Sequence, residues 1–175
     1  MTESSAAVIE RLGRTIPDFP SPGIQFLDLT PVFADGPALA ILSDELVAPF
    51  LGRIDIVAGV EARGFALAAA VAARHGLGLL LIRKAGKLPG ERIAESYTLE
   101  YGEATLEVHV GQLPAGTRVL LVDDVLATGG TLRAARTLIE RAGWTPVGTA
   151  VALEIGALGG RALCGDADVV ALAQG

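Results

Sequence analysis

Residues 119–131 constrain the fold more than any other stretch of the chain. They read Val-Leu-Leu-Val-Asp-Asp-Val-Leu-Ala-Thr-Gly-Gly-Thr. The apolar run 119–122 has the length and β-branched content of a buried parallel strand, and it ends in the adjacent carboxylates of Asp123 and Asp124. Small residues then lead directly into a helix and leave the backbone N–H groups open to close approach. The pattern predicts a parallel α/β sheet with a ligand site at this strand end.

The two halves of this stretch favour different chemistry. Asp123 and Asp124 repel phosphate, so their natural partners are a pair of sugar hydroxyls or a Mg²⁺ ion. The amides of residues 127–131, at a helix N-terminus, favour phosphate. A ribose 5-phosphate supplies both kinds of group. An ordinary strand–turn–helix, with an Asx turn and an N-cap from Asp, Thr and Gly, would explain the same residues without a ligand.

The pattern Val-Asp-Asp-x-Leu-Ala-Thr-Gly-Gly-Thr resembles the loop that binds 5-phosphoribosyl 1-pyrophosphate (PRPP) in the type I phosphoribosyltransferases. The resemblance implies that Asp123 and Asp124 hold the ribose hydroxyls. It further implies that the 5-phosphate is wrapped by Ala127, Thr128, Gly129, Gly130 and Thr131. The fold expected from it is a central, mainly parallel sheet flanked by helices, with an N-terminal hood and a flexible lid loop.

Composition narrows the class of protein. The 175 residues are 51% hydrophobic and 19% charged, which is typical of one globular α/β domain spanning 1–175. Cys164 is the single cysteine, so no internal disulfide or Cys-rich metal site is expected. The net charge of −6 argues against nucleic acid or an anionic membrane as partner. With no leader and no long apolar run, a reducing cytoplasm is the expected location.

Cations concentrate in one short segment. Both lysines of the chain, Lys84 and Lys87, lie between Arg83 and Arg92. A solvated loop is the usual explanation for such a run, but the segment also holds Gly86, Pro89 and Gly90 and has no helix to decorate. We therefore expect a site for a polyanion.

Residues 83–102 resemble the catalytic lid of the adenine branch of this superfamily, with a lid loop over about residues 84–102. The resemblance implies that Arg83, Lys84, Lys87 and Tyr101 contact PRPP and that Glu100 is the general base. Without it, a lone Glu in a loop is more often solvated surface. The alternation of Tyr97, Leu99 and Tyr101 predicts a hairpin with residues 104–109.

The segment 60–65, Val-Glu-Ala-Arg-Gly-Phe, is a second strand end followed by a small-residue turn and an Ala-rich helix. A cation at a helix start is electrostatically unfavourable, so Arg63 calls for a bound anion. A surface arginine is the alternative. By resemblance this is the pyrophosphate loop, in which Arg63 and the backbone near Ala62 meet the leaving group.

Residues 16–31 are rich in Pro and Gly yet apolar, which favours an ordered loop over a linker. The segment resembles the hood of the adenine branch, which implies that Gln25 and Phe26 border the purine and that Phe26 stacks on it. By the same resemblance Ile155 forms the far wall of that pocket; without it, Phe26 is equally typical of a core and Ile155 is more typical of one. Leu27 departs from the family, where many members have Arg at this position.

The remaining pattern predicts alternating helices and strands, and hence a parallel sheet with helices on both faces. Helices are expected near residues 6–12, 35–51, 65–75, 132–143 and 158–163, and strands near 54–59, 78–82, 147–153 and 168–172. His75, His109 and Cys164 are interpreted as surface or packing residues.

The expected reaction, by resemblance, joins adenine to PRPP and gives AMP and pyrophosphate. It requires Mg²⁺ held mainly through PRPP and water, with the direct protein ligands left open, and a homodimer is expected. Two alternatives remain: a phosphoribosyltransferase for another base, such as hypoxanthine, guanine or xanthine, which Leu27 keeps open, and a PRPP-sensing regulator without catalysis.

Overall fold

The computed structural model of the protein describes residues 3–19, 21–98, 102–165 and 168–175. The N-terminal third begins with a helix and a two-stranded hairpin and continues through two further helices and a 3₁₀ turn. Their bounds are α1 Ser5–Leu12, β1 Arg14–Pro17, β2 Gln25–Asp28, α2 Thr30–Ala34, α3 Gly36–Val47 and the turn Ala48–Phe50. Strands β1 and β2 pair antiparallel, with Ile16 opposite Phe26.

The rest of the chain alternates strands and helices around one sheet. The elements are β3 Ile56–Val60, α4 Arg63–His75, β4 Gly78–Lys84, β5 Arg92–Thr98, β6 Glu103–His109, β7 Arg118–Leu126, α5 Gly130–Arg141, β8 Thr145–Glu154 and β9 Asp168–Gln174. The 3₁₀ turns Gly156–Leu158 and Gly160–Cys164 connect β8 to β9. The sheet has seven strands in the order β5-β6-β4-β3-β7-β8-β9. The expected fold class, a mainly parallel sheet flanked by helices, is confirmed.

Pairing direction divides the sheet in two. Strands β4, β3, β7, β8 and β9 run parallel, whereas β5 and β6 form the predicted antiparallel hairpin, which joins the end of β4. The carboxyl ends of β3 and β7 therefore open at the same edge. The turns that follow them, into α4 and α5, are brought side by side there.

The core lies on both faces of the sheet because neighbouring strand residues point to opposite sides. Leu120 packs with the face covered by α1, α3 and α4, and Leu121 packs with the face covered by α5 and the β5–β6 hairpin. Cys164 is buried in the second cluster, as expected for a packing residue. Across the described residues, no helix is long and apolar enough to cross a membrane.

Several predicted bounds were wrong where tertiary pairing decides the local structure. The predicted hood loop contains β1, β2 and the start of α2, because β1 and β2 satisfy each other's backbone groups. Within the described part of the predicted lid, the irregular segment after β4 ends at residue 91, since β5 pairs with β6 from Arg92 opposite His109. The predicted helix at 158–163 is a pair of 3₁₀ turns interrupted by Gly159, whose φ is 63°.

Candidate active site

The site lies at the carboxyl end of β7, beyond the last residue that pairs with β3. Pairing between β3 and β7 ends at Gly59 opposite Val122, while pairing with β8 continues from Asp123 to Leu126. The strand is therefore longer than the predicted 119–122, and both aspartates belong to it. Beyond Val122, β7 no longer pairs with β3. The two carboxylates therefore lie at the end of the β3–β7 ladder, next to the N-terminus of α4.

Asp123 is held in a tight contact with α4. Gly64 lies directly against it, and a Cβ on Gly64 would be 2.8 Å from Asp123 Oδ1. Burial, and after it the adjacent Asp124 carboxylate, raise the pKa of Asp123 well above its usual range. The glycine of the Arg-Gly-Phe sequence is thus required for close approach, and Asp123 is poised to exchange a proton or a hydrogen bond with a bound group.

Asp124 is also buried, and one of its oxygens lacks a full complement of hydrogen bonds. Its backbone N–H donates to Asp123 Oδ1 at 2.9 Å. Asp124 Oδ2 lies 2.8 Å from Arg63 Nε, but the N–H direction does not make this ion pair a hydrogen bond, and the described residues give that oxygen no hydrogen-bond partner. Arg63 therefore neutralises Asp124 through an ion pair, and the carboxylate keeps acceptor capacity for a further hydrogen bond.

Arg63 joins two parts of the site. It is the first residue of α4, where its charge opposes the helix dipole. Its guanidinium lies 2.8 Å from Asp124 and 5.3 Å from the centroid of the Phe26 ring, in a cation–π arrangement. The peptide bond that precedes it, between Glu61 and Ala62, is cis. Arg63 therefore lies between an aromatic wall and the carboxylate pair.

The glycine-rich turn forms the predicted cradle at the N-terminus of α5. Gly129, the N-cap, has a φ of 84° and no side chain within the described chain caps its helix, so the first amides remain available to an anion. A cavity of about 80 Å³ lies over the turn. It is lined by Asp123, Val125, Ala127, Thr128, Gly129, Thr131 and Leu132. Its size suits one phosphate group.

A second, largely apolar cavity of about 400 Å³ adjoins the aspartates. The predicted purine-binding residues Gln25, Phe26 and Ile155 all line it. Other residues that line it are Ile24, Leu27, Arg63, Asp124, Val125, Ala127, Leu153 and Gly175. A flat aromatic ring fits between Phe26 and Ile155, which is the arrangement expected for a base pocket.

A third cavity, of about 470 Å³, completes the crevice. It is lined by Glu61, Ala62, Arg63, Lys84, Tyr97, Ala104, Asp123, Asp124 and Thr131. It shares Asp123 and Thr131 with the phosphate cradle, and Arg63 and Asp124 with the apolar cavity. The cradle and the apolar cavity in turn share Val125 and Ala127, so the three cavities adjoin one another around the end of β7.

The predicted lid residues separate into different environments. Lys84 lines the polar cavity, whereas Arg83 donates from Nε to Glu61 at 3.2 Å and from Nη1 to the Lys87 carbonyl at 3.2 Å. Lys87 is exposed and is not among the described residues that line the cavity. Arg83 is likewise not among the residues that line this cavity, and the contacts of Arg83 and Lys87 with PRPP stay a prediction. Glu100 and Tyr101 lie outside the described residues.

Sequence reasoning missed three residues that line the polar cavity, Glu61, Tyr97 and Ala104. Glu61 accepts hydrogen bonds from Arg83 and from the Lys84 backbone at 3.0 Å, so it fixes the start of the cationic segment. Its position in the Val-Glu-Ala-Arg turn, directly before Arg63, is the sequence feature that could have predicted it as a site residue. Tyr97 was assigned only to a hairpin, and its approach to the site depends on how that hairpin packs on α5.

Comparison with known proteins agrees with this geometry. Residues 33–163 match the model of the phosphoribosyl transferase domain. The adenine phosphoribosyltransferase of Clavibacter michiganensis is 59% identical, over 98% of this chain and 98% of its own. The crystal structure of the enzyme of that name from Rhodothermus marinus superposes with a TM-score of 0.90 at 42% identity, covering 97% of this chain and 98% of its own.

A third relative carries ligands. It is adenine phosphoribosyltransferase from Saccharomyces cerevisiae, whose crystal structure contains an imino-altritol bisphosphate and adenine. It superposes with a TM-score of 0.90 at 35% identity, over 96% of this chain and 98% of its own. From these matches and the three joined cavities, the chain belongs to the phosphoribosyltransferase family, in the branch of the adenine phosphoribosyltransferases.

Proposed function

We propose that the protein transfers the 5-phosphoribosyl group of PRPP to adenine in purine salvage, giving AMP and pyrophosphate. The observation that carries this proposal is the meeting of the three cavities at Asp123 and Asp124. A ribose held at this carboxylate pair would direct its 5-phosphate into the cradle, its base into the apolar cavity and its pyrophosphate into the polar cavity. Family membership and the relatives' names support the same reaction.

The sugar and its phosphate are held by β7 and the turn after it. Residues 127–131 supply amides to the 5-phosphate, and Asp123 and Asp124 accept hydrogen bonds from the two ribose hydroxyls. Asp124 lines the polar cavity and is ion-paired with Arg63, and its carboxylate keeps acceptor capacity beyond that pair. This grip fixes the anomeric carbon between the base and the leaving group, which is a positioning contribution to the rate.

The leaving pyrophosphate is assigned to the polar cavity. As the C1–O bond breaks, negative charge grows on pyrophosphate, and Arg63, Lys84 and the backbone near Ala62 are placed to bind it. Each charge-assisted contact of this kind contributes about 1.5 to 3 kcal/mol. Arg83, Lys87 and Tyr101 belong to the same proposal, with the first two requiring the segment 85–91 to move toward the ligand.

The carboxylate pair also suits a Mg²⁺ ion bound together with PRPP. Among the described residues, no cluster of three or more His, Cys, Asp or Glu side chains forms a metal cage, whereas Asp123 and Asp124 both line the polar cavity, where a carboxylate can accept from a metal-bound water. Mg²⁺ commonly keeps several waters and binds through one or two carboxylates and substrate phosphates. When bound, it would neutralise the charge of the pyrophosphate.

Adenine occupies the apolar cavity between Phe26 and Ile155, with Gln25 at its rim. The base must lose a proton as its ring nitrogen bonds to C1, and Glu100 is proposed as the group that takes it. Arg63, which contacts both the Phe26 ring and Asp124, couples the base pocket to the sugar site.

The proposal also covers the domain organisation, the oligomeric state and the location of the enzyme. We assign the hood to about residues 16–31 and the lid to about residues 84–102 of a single domain, and we propose a homodimer in the cytoplasm, acting on small molecules without a nucleic-acid or membrane partner. Adenine and PRPP are its substrates.

A panel of bases tests this function. Purified protein is given PRPP, Mg²⁺ and one of adenine, hypoxanthine, guanine or xanthine, and pyrophosphate release is measured. We expect release with adenine to exceed release with every other base by about 100-fold or more, since a site built to pair with specific polar edges rejects mismatched ones. Preference for another base, or PRPP binding without release for any base, would overturn the assignment.

A further inference from the structure

Tyr97 reaches the phosphate cradle from a different part of the fold. It lies on β5, the edge strand of the sheet, yet its side chain is only 8% exposed. Its hydroxyl is 3.2 Å from Thr131 Oγ1, at the start of α5. A Cβ on Gly130 would lie 3.5 Å from Tyr97 Cδ2, so the tyrosine ring packs directly on the first turn of that helix.

A separate contact fixes β5 on the same helix. At the far end of α5, Arg141 Nη1 donates to the Ala94 carbonyl at 2.8 Å and to Glu95 Oε2 at 2.6 Å. Strand β5 also pairs along its whole length with β6. The position of Tyr97 therefore does not depend on its own hydroxyl, and removing that oxygen should leave the strand in place.

The Tyr97 hydroxyl can make a second hydrogen bond, as a donor. Thr131 Oγ1 donates to the Tyr97 oxygen, and a phenol can accept one hydrogen bond while donating its own proton to another acceptor. Tyr97 lines the polar cavity together with Lys84 and Thr131. Since Thr131 also lines the phosphate cradle, the proton of Tyr97 is available at the boundary between the two cavities.

We propose that Tyr97 is a further binding residue for the 5-phosphate. It donates its hydroxyl proton to the phosphate and, by accepting from Thr131, holds that side chain in the orientation the cradle needs. The inference rests on the proposed function, because it takes the phosphate in the cradle to be that of PRPP or AMP.

The test replaces Tyr97 by Phe, which removes the oxygen and keeps the ring. Calorimetry measures the affinity for PRPP with Mg²⁺ and, separately, for AMP, which shares the 5-phosphate but lacks the pyrophosphate. We expect Tyr97→Phe to weaken both by about 3- to 10-fold, the usual effect of one lost hydrogen bond, with the melting temperature little changed. Ser96→Ala is the matched control, since its hydroxyl bonds Thr105 on the exposed side of the same hairpin.

A double-mutant cycle separates this role from simple packing. Thr131→Val removes the donor, so Tyr97→Phe should weaken AMP binding less in that background than in the wild type. Unchanged AMP affinity in Tyr97→Phe, or equal losses from Tyr97→Phe and Ser96→Ala, would overturn the inference. The proposed function fails separately, if the wild type releases no pyrophosphate from PRPP and adenine, and the AMP affinities still decide the role of Tyr97.

Discussion

Asp123 is a carboxyl group half-buried beside a second carboxylate, and both features oppose its ionisation. Gly64 is packed against its Oδ1, and the adjacent Asp124 adds like charge. Its folded-state pKa is therefore raised, whereas in the unfolded chain it is ordinary. Between these two values the folded protein binds more protons than the unfolded one, so the stability of the fold decreases as the pH rises through that interval.

Replacing Asp123 by Asn should therefore stabilise the protein at neutral pH and weaken ligand binding. The amide keeps the shape and the acceptor for the Asp124 N–H but carries no charge. We expect a melting temperature about 2 to 6 °C above that of the wild type at pH 8, in the range of other stability–function exchanges, together with loss of PRPP affinity. Calorimetric melting across a pH series measures it.

The pH trend distinguishes this cause from general repacking. The advantage of Asp123→Asn should shrink as the pH falls toward the ordinary carboxyl range, because the wild type then no longer has to hold a proton that its unfolded chain has released. A stability difference that stayed constant from pH 4 to pH 8 would show that burial of the charge is not the cause.

Residues of the site differ in how well the sequence predicts them. Asp123 to Thr131 are contiguous, so their spacing alone places carboxylates beside a phosphate cradle. Tyr97 and Gly175 reach the site through packing of an edge strand and of the chain end, which no local pattern encodes. Leu27 was noted as a departure from the family, and it lines the base pocket.

The C-terminal 3₁₀ turn, Gly160–Cys164, packs against the backbone of the phosphate cradle. Gly160 crosses the turn after β7 so closely that a Cβ on it would lie 2.1 Å from the Ala127 carbonyl oxygen. The reverse contact is equally tight, since a Cβ on Gly129 would lie 2.4 Å from the Gly160 oxygen. The cradle thus keeps its shape because two backbones meet at glycines.

A methyl group at Gly160 should disturb this crossing and displace the cradle. We expect Gly160→Ala to raise the KM for PRPP about 10-fold or more, since small misplacements of positioning groups have large effects, and to raise the KM for adenine much less. Steady-state kinetics with each substrate varied in turn measures both.

Gly156→Ala is the matched control for that substitution. Its new Cβ would lie 3.6 Å from Gln174 Oε1, an ordinary contact, in the neighbouring 3₁₀ turn. We expect wild-type KM values for it. Equal effects of the two substitutions, or normal PRPP kinetics in Gly160→Ala, would mean that the crossing does not shape the cradle.

The sequence predicts a helix or strand correctly where the hydrophobic pattern of that segment alone determines its bounds. The Ala-rich α4 and the amphipathic α5 lie close to their predicted bounds. The strand of residues 119–122 extends to Leu126 because β8 continues to pair with it, and the hood acquired strands because β1 and β2 pair with each other. In each case a partner distant in sequence decided the bounds.

The whole molecule contributes to a single crevice. Phe26 comes from the N-terminal hairpin, Arg63 from the start of α4, Thr128 from the turn after β7 and Gly175 from the chain end. A ligand that contacts all four regions links parts of the chain that are far apart in sequence. Binding should therefore stabilise the fold as a unit and leave no region to melt separately.

A thermal-melting experiment tests whether ligand binding stabilises the fold as one cooperative unit. At fixed protein and Mg²⁺ concentrations, PRPP at about 100 times its Kd should raise the unfolding free energy by about 2.7 kcal/mol, which corresponds to about 5 to 11 °C for a chain of this size. Asp124→Asn, which loses an acceptor for the sugar, should show a much smaller shift under the same conditions. The transition should remain single, since Arg63 contacts both the Phe26 ring of the hood and Asp124 of the sugar site. If the melt instead separates into two steps, with only the later one moved by PRPP, the N-terminal hairpin is not coupled to the sugar site through Arg63.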